Sequence, residues 1–165
     1  MNCRGIRTLV CSKISVVMKN RTNIPSVMIA PCGMNCGICR AYLRDRNHCI
    51  GCNVDGFQKA NHCSICSIKA CDERAGATYC FDCNKYPCTR LKGLDQRYIA
   101  KYGMSMIQNL DRIRKIGIKR FMELENTRWV CPECGNPICI HNKKCYTCGK
   151  QYPSPNTKEV ITQSN

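Results

Sequence analysis

Between residues 91 and 127 the apolar positions recur at helical spacing, and no cysteine interrupts them. Leu91, Leu94, Tyr98 and Tyr102 fall on one face of an amphipathic helix, and Gly103 stands where a left-handed residue would close it. Ser105, with Gln108 three residues later, reads as a capping box that opens a second helix. Met106, Leu110 and Ile113 continue it as an i, i+4, i+7 stripe, with Asp111 and Lys115 spaced as a surface pair. Gly117 predicts the end of that helix, and a shorter one over residues 118–125 leads to Trp129.

Elsewhere the periodicity disappears. Residues 28–90 have little continuous apolar sequence and eleven cysteines, which predicts turns and short helices wrapped around metal. This cysteine-rich module repeats itself weakly. "NHCIGC" at residues 47–52 returns as "NHCSIC" at 61–66, and C-x2-C-x4-C occurs at Cys63, Cys66, Cys71 and again at Cys80, Cys83, Cys88. Residues 1–27 carry five Lys or Arg and no acid, and read as a disordered or mis-called extension with Met28 as the start. Residues 129–150 form a second cysteine unit, and 151–165, with Pro153 and Pro155, read as a flexible tail. The expected fold is a small metal-stabilised α+β or irregular protein: a cysteine-rich module, amphipathic helices over 91–128, and a C-terminal zinc ribbon over 129–150.

Composition explains why metal enters so early. The chain of 165 residues has 18 Cys against three Phe and one Trp, so an ordinary apolar core cannot carry the stability alone. Cysteine at that density serves either a secreted disulfide framework or thiolate ligation in a reducing compartment. The apolar cluster at Leu9 and Val10 is broken by Cys11, Ser12 and Lys13 before it reaches the length of a secretory signal, which predicts a cytoplasmic protein. No run of about 18 apolar residues is present to span a bilayer. Twelve cysteines fall in six C-x2-C pairs: Cys36/Cys39, Cys49/Cys52, Cys63/Cys66, Cys80/Cys83, Cys131/Cys134 and Cys145/Cys148. One tight turn of that spacing aims two sulfurs at one ion, and disulfide scaffolds do not normally repeat it six times.

Metal also changes the meaning of the formal charge of +15, which counts every thiol as neutral. A divalent ion with four thiolates carries −2, so three or four sites would leave the folded protein at roughly +7 to +9. Part of the basic excess is therefore counter-charge.

The strongest motif is "CPECGNPICIHNKKCYTCG", in which ten residues separate Cys131/Cys134 from Cys145/Cys148 and a glycine follows each pair. It predicts one four-sulfur site, with zinc as the occupant and iron the alternative the same sulfurs would accept. Cys139 and His141 between the pairs read as loop filling, since two ligands do not close a site. In the N-terminal module Cys32, Cys36, Cys39, Cys49, Cys52, Cys63, Cys66, Cys71, Cys80, Cys83 and Cys88 are candidate ligands, with His48 and His62 beside them. Eleven thiolates and one imidazole would complete three tetrahedra. One partition takes Cys49/Cys52 with Cys63/Cys66, and Cys71/Cys88 with Cys80/Cys83; interleaved pairings are equally open. Cys3 and Cys11 are the outliers.

Cys32, Cys36 and Cys39 have a C-x3-C-x2-C spacing that resembles the cluster motif of radical S-adenosylmethionine enzymes. That chemistry needs a large partial barrel, and this chain has no βα repeats to build one. A simple iron–sulfur cluster within residues 28–90 stays open as the alternative to zinc. No Gly-rich phosphate loop, H-E-x-x-H helix or Ser/His/Asp arrangement occurs, and ligated thiolates are poor nucleophiles, so the expectation is no enzyme.

The run "MIAPCGMNCGICRAYL", then "CIGC", "HCSICSIKAC" and "CFDCNKYPCTRLKGLDQRY", resembles the cysteine-rich family known as domain of unknown function 3795 over roughly residues 28–100. The resemblance implies a small prokaryotic metal-binding module with the eleven cysteines from Cys32 to Cys88 as matched positions. It implies no reaction.

Residues 91–128 carry nine basic residues against four acidic, with Arg112, Arg114, Lys115, Lys119 and Arg120 near the end of the second helix. The reading is thus a protein binding several zinc ions, with an iron–sulfur protein for electron transfer or redox sensing as alternative. The partner would be a protein or, through this basic face, a nucleic acid, and not a membrane.

Overall fold

The computed structural model describes residues 23–153. The expectations for residues 1–22, Cys3 and Cys11 included, and for the tail from 154 onward lie outside the described residues. Four α-helices follow one another: α1 (Arg40–Leu43), α2 (Asn61–Ser64), α3 (Thr89–Tyr102) and α4 (Met106–Arg128). α1 and α2 are single turns; short 3₁₀ turns precede α1, among them Cys36–Ile38, and others, among them Cys80–Asp82, lie between α2 and α3.

α3 and α4 form the frame. α3 ends on Gly103 at φ 67°, in the left-handed conformation that glycine adopts without steric penalty. The Ser105 hydroxyl accepts from the Gln108 N–H at 3.0 Å and donates to the Asp95 carboxylate at 2.8 Å. Asp95, buried on α3, also accepts from the Ile107 N–H at 3.0 Å, placing negative charge at the N-terminus of α4. α4 is broken at Gly117 (φ 78°, ψ 157°), so its two halves aim separate apolar faces at the core: Met106, Leu110 and Ile113 before the break, Phe121 and Met122 after it. Each such buried side chain stabilises by roughly 1.5–3 kcal/mol. Asp111 does not pair with Lys115 as its spacing suggested; its carboxylate accepts from the Tyr86 hydroxyl at 2.6 Å.

The segment before α1 packs on α4 through polar as well as apolar contacts. Asn35 Nδ2 donates to the Glu125 carboxylate at 3.3 Å, Asn109 Nδ2 donates to the Gly33 carbonyl at 3.0 Å, and the Ile24 N–H donates to Asn126 Oδ1 at 3.0 Å. Glu125 is only 1% exposed; burial raises its pKa, while Arg128 at 3.6 Å and Asn35 oppose that rise. The C-terminal unit packs against both this segment and α3: Trp129 and Ile140 are buried, the Ile140 N–H donates to the Ile38 carbonyl at 3.0 Å, and Lys143 Nζ donates to the Tyr102 carbonyl at the end of α3.

The expected α+β character and zinc-ribbon fold are not found. Among the described residues there is no β-sheet and no named strand, only isolated antiparallel bridges at Ile29–Asn35, Val130–Pro137, Ile138–Cys145 and Lys144–Gln151. The fold is helical. The reason is local: the hydrogen-bonding groups around each cysteine pair are spent on turns, Pro137 has no N–H to give, and Lys143 turns the chain at φ 55°. Each pairing therefore stops after one bridge instead of propagating into a ladder. No helix among the described residues is long and apolar enough to cross a membrane.

Gly33 shows how tightly the N-terminal segment meets α4. A Cβ there would lie 2.5 Å from the Met106 carbonyl oxygen and 2.9 Å from Leu110 Cγ, and its φ of +87° is already unfavourable for other residues. Gly33→Ala should lower stability by roughly 3 kcal/mol or more, read as a fall in the denaturant midpoint of the metal-loaded protein.

Candidate metal centre

Two tight turns build the C-terminal site. The Gly135 N–H donates to the Cys131 carbonyl at 2.8 Å and the Gly149 N–H to the Cys145 carbonyl at 2.9 Å, and both glycines have positive φ. The turns face each other because the segment leaving the first pairs with the segment entering the second: the Cys139 N–H donates to the Lys144 carbonyl at 2.9 Å, and Ile138 forms an antiparallel bridge with Cys145. All four sulfurs, of Cys131, Cys134, Cys145 and Cys148, lie within 4.8 Å of one another. The contacts cross between turns: Cys131 to Cys148 at 3.6 Å and Cys134 to Cys145 at 3.5 Å. These are far too long for a disulfide, and all are free thiols. A tetrahedral tetrathiolate with metal–sulfur bonds of about 2.3 Å has sulfur–sulfur edges of roughly 3.8 Å, so a small inward or outward adjustment accommodates an ion.

The charges at this site are unequal. Burial pushes the Cys131 thiol up, but the Tyr152 hydroxyl at 3.0 Å and backbone N–H groups around Cys134 and Glu133 outweigh it and hold the group down at about 6. Burial carries Cys145 the other way, to about 12. Lys150, paired with Glu133, sits beside the site as a cation. The hydrogen bonds to Cys131 thus favour its thiolate form, the form that an ion would bind.

The N-terminal cysteines gather differently. Cys32, Cys36, Cys39, Cys52, Cys63 and Cys66 line one cavity of about 540 Å³, faced by Arg90, Arg97 and Lys101 of α3. Within it Cys52 accepts from the thiols of Cys36 and Cys63, which lowers the Cys52 pKa and raises those of its two partners. Cys71, Cys80, Cys83 and Cys88 line a second, much smaller cavity of about 20 Å³. Cys49 is buried against α1. Among the described residues, however, the four C-terminal sulfurs are the one group whose donor atoms all come within 4.8 Å. His48 and His62 are exposed. His141 is not: its Nδ1 accepts from the Arg40 N–H at 3.2 Å, its Nε2 meets the Tyr98 hydroxyl at 3.3 Å, and burial drives its pKa down to about 4.

Cys139, read from the sequence as loop filling, is completely buried. Its one signal was the C-x-H pair with His141.

The depressed pKa of Cys131 fixes the direction of pH dependence. Its folded value lies below the ordinary 9.0, so the stabilisation from its thiolate is complete above about 9 and is lost as pH falls through about 6. Metal should be released over the acid side of that window. Tyr152→Phe removes a donor to the thiolate and should shift half-release to higher pH by a fraction of a unit, followed with a chromogenic zinc indicator.

The family model described as "Protein of unknown function (DUF3795)" matches residues 28–93, less than half of the chain. The match ends within α3, short of residue 100, and does not reach the C-terminal four-sulfur centre. No curated protein and no solved structure matches the chain. Over residues 28–93, then, the chain is similar to an uncharacterised cysteine-rich family, and the rest rests on its own geometry.

Proposed function

We propose that this protein is a zinc-stabilised interaction module without catalytic activity, in which thiolate-bound ions hold short irregular segments onto a helical frame. The observation that carries the reading is the group of four sulfurs from Cys131, Cys134, Cys145 and Cys148 within 4.8 Å of one another. Four thiolates from two facing turns close a tetrahedron and leave no open position for substrate, the arrangement of a structural rather than a catalytic ion. The eleven cysteines from Cys32 to Cys88 serve in the same reading as ligands for further ions.

The surface available to a partner is the outer side of α4, where Arg114, Lys115 and Lys119 are exposed and Arg120 is engaged with Glu123. Such a face suits an anionic partner, either an acidic protein surface or nucleic acid phosphate. A second reading, an iron–sulfur protein for redox work, draws support from the six thiols around the 540 Å³ cavity, which has room for a polynuclear centre.

Metal analysis with an anaerobic absorption spectrum separates the two readings. Zinc gives a colourless protein with one ion fewer in Cys131→Ser than in wild type. An iron–sulfur cluster absorbs near ~400 nm and yields acid-labile sulfide. A chain that stays folded after chelation and dialysis, with no metal bound, would refute both. For the anionic partner, retention on single-stranded or duplex polymer at low salt should weaken steeply as salt rises; passage straight through at low salt would leave the basic face without that role.

A further inference from the structure

The C-terminal four-sulfur centre is complete without Cys139, yet Cys139 is 0% exposed and belongs to the same segment. Main-chain hydrogen bonds show what it meets. The Ile140 N–H donates to the Ile38 carbonyl at 3.0 Å, and the Arg40 N–H donates to His141 Nδ1 at 3.2 Å. These two bonds place Cys39, between Ile38 and Arg40, against the Ile140–His141 step that directly follows Cys139.

Two more thiols approach the same place. The Cys49 N–H donates to the Ala41 carbonyl at 2.6 Å, bringing Cys49, only 5% exposed, against the start of α1. The residues leading into α2 face Cys39 and His141 across a shared groove of about 900 Å³, and Cys63 of α2 shares the wall of the neighbouring cavity with Cys39. Cys39 lies within electrostatic range of both Cys139 and Cys49, and Cys63 within range of Cys49 and Cys39.

The count of ligands points the same way. The N-terminal module alone offers eleven thiols, one short of three tetrahedra, and its two histidines are exposed. Cys139 is the twelfth. If Cys71, Cys80, Cys83 and Cys88 around the small cavity take one ion, and Cys32, Cys36, Cys52 and Cys66 in the large one take another, the thiols left for a third are Cys49, Cys139, and Cys39 and Cys63, which also line the large cavity.

We infer that Cys39, Cys49, Cys63 and Cys139 form a further tetrahedral site for a divalent thiophilic cation such as zinc, and that this ion clamps the C-terminal segment onto the N-terminal cysteine cluster. The inference rests on the zinc-module reading above and adds to it a ligand set that joins distant parts of the chain. The four sulfurs are not gathered within 4.8 Å as those of the C-terminal centre are, so the side chains close on the ion when it binds. Arg40 and Lys143 near Cys139 offset part of the −2 charge of a tetrathiolate ion.

The test uses the full chain loaded with cadmium-113, which occupies zinc–thiolate sites and couples to cysteine β-protons. One cadmium resonance should correlate with the β-protons of all four residues; a spectrum in which Cys139 couples to no cadmium, or to one shared with Cys131, overturns the site. Native mass spectrometry adds an independent reading, with Cys139→Ser binding one ion fewer than wild type while the Cys131 centre stays filled. An undiminished count in Cys139→Ser overturns the inference. Loss of an ion in Cys131→Ser but not in Cys139→Ser overturns this site alone, whereas a wild-type chain that binds no ion overturns the zinc-module reading with it. Should Cys139→Ser fail to fold, the wild-type cadmium spectrum decides.

Discussion

The seating of the segment before α1 against α4 is the contact on which the rest of the structure depends. Three features make it specific rather than merely apolar: the Asn35–Glu125 hydrogen bond, the Asn109 amide on the Gly33 carbonyl, and a backbone approach at Gly33 too close for any side chain. A buried carboxylate is tolerated only where partners surround it, and Glu125 has Asn35 and Arg128. Shifting this segment by one residue would break all three contacts together. It would also move Cys32 and Cys36 in the large cavity, and the Ile38 carbonyl that receives the C-terminal unit.

Thiols and cations are distributed to match. The buried core takes in the segment from Ile24 to Ile38, the inner face of α4, Leu91 of α3, and Trp129, Ile138 and Ile140 of the C-terminal unit. Beyond it lie segments of single turns that could not pay their own ordering entropy by burial. In the zinc-module reading, metal–thiolate bonds supply that deficit, and the basic residues of α3 around the large cavity offset the charge that ligation creates.

The missing sheet is consistent with this economy. Around Cys131 and Cys145 each backbone N–H is committed to a turn or to a single cross-bridge, which orients the sulfurs without a ladder. The spacing of two C-x2-C pairs correctly signalled that four sulfurs would face one another, but not the secondary structure between them. Ligand convergence requires only two turns held in register, and one or two bridges suffice for that.

Features decided within a few residues could be read from the sequence alone. The start of α4 at Ser105, the close of α3 at Gly103 and the break at Gly117 all follow from local capping and from the backbone freedom of glycine, and they stand where the spacing placed them. So does the meeting of the two C-x2-C turns in the C-terminal centre. Only the tertiary structure decided which of the more distant segments meet, because that depends on contacts between residues far apart in the chain. It brought Ile140 onto Ile38, drew Asp111 to Tyr86 instead of Lys115, and buried Glu125 against Asn35. Sequence by itself determined the helix ends and the C-terminal group of four cysteines; the packing of a loop on a broken helix determined which of the other cysteines line one cavity.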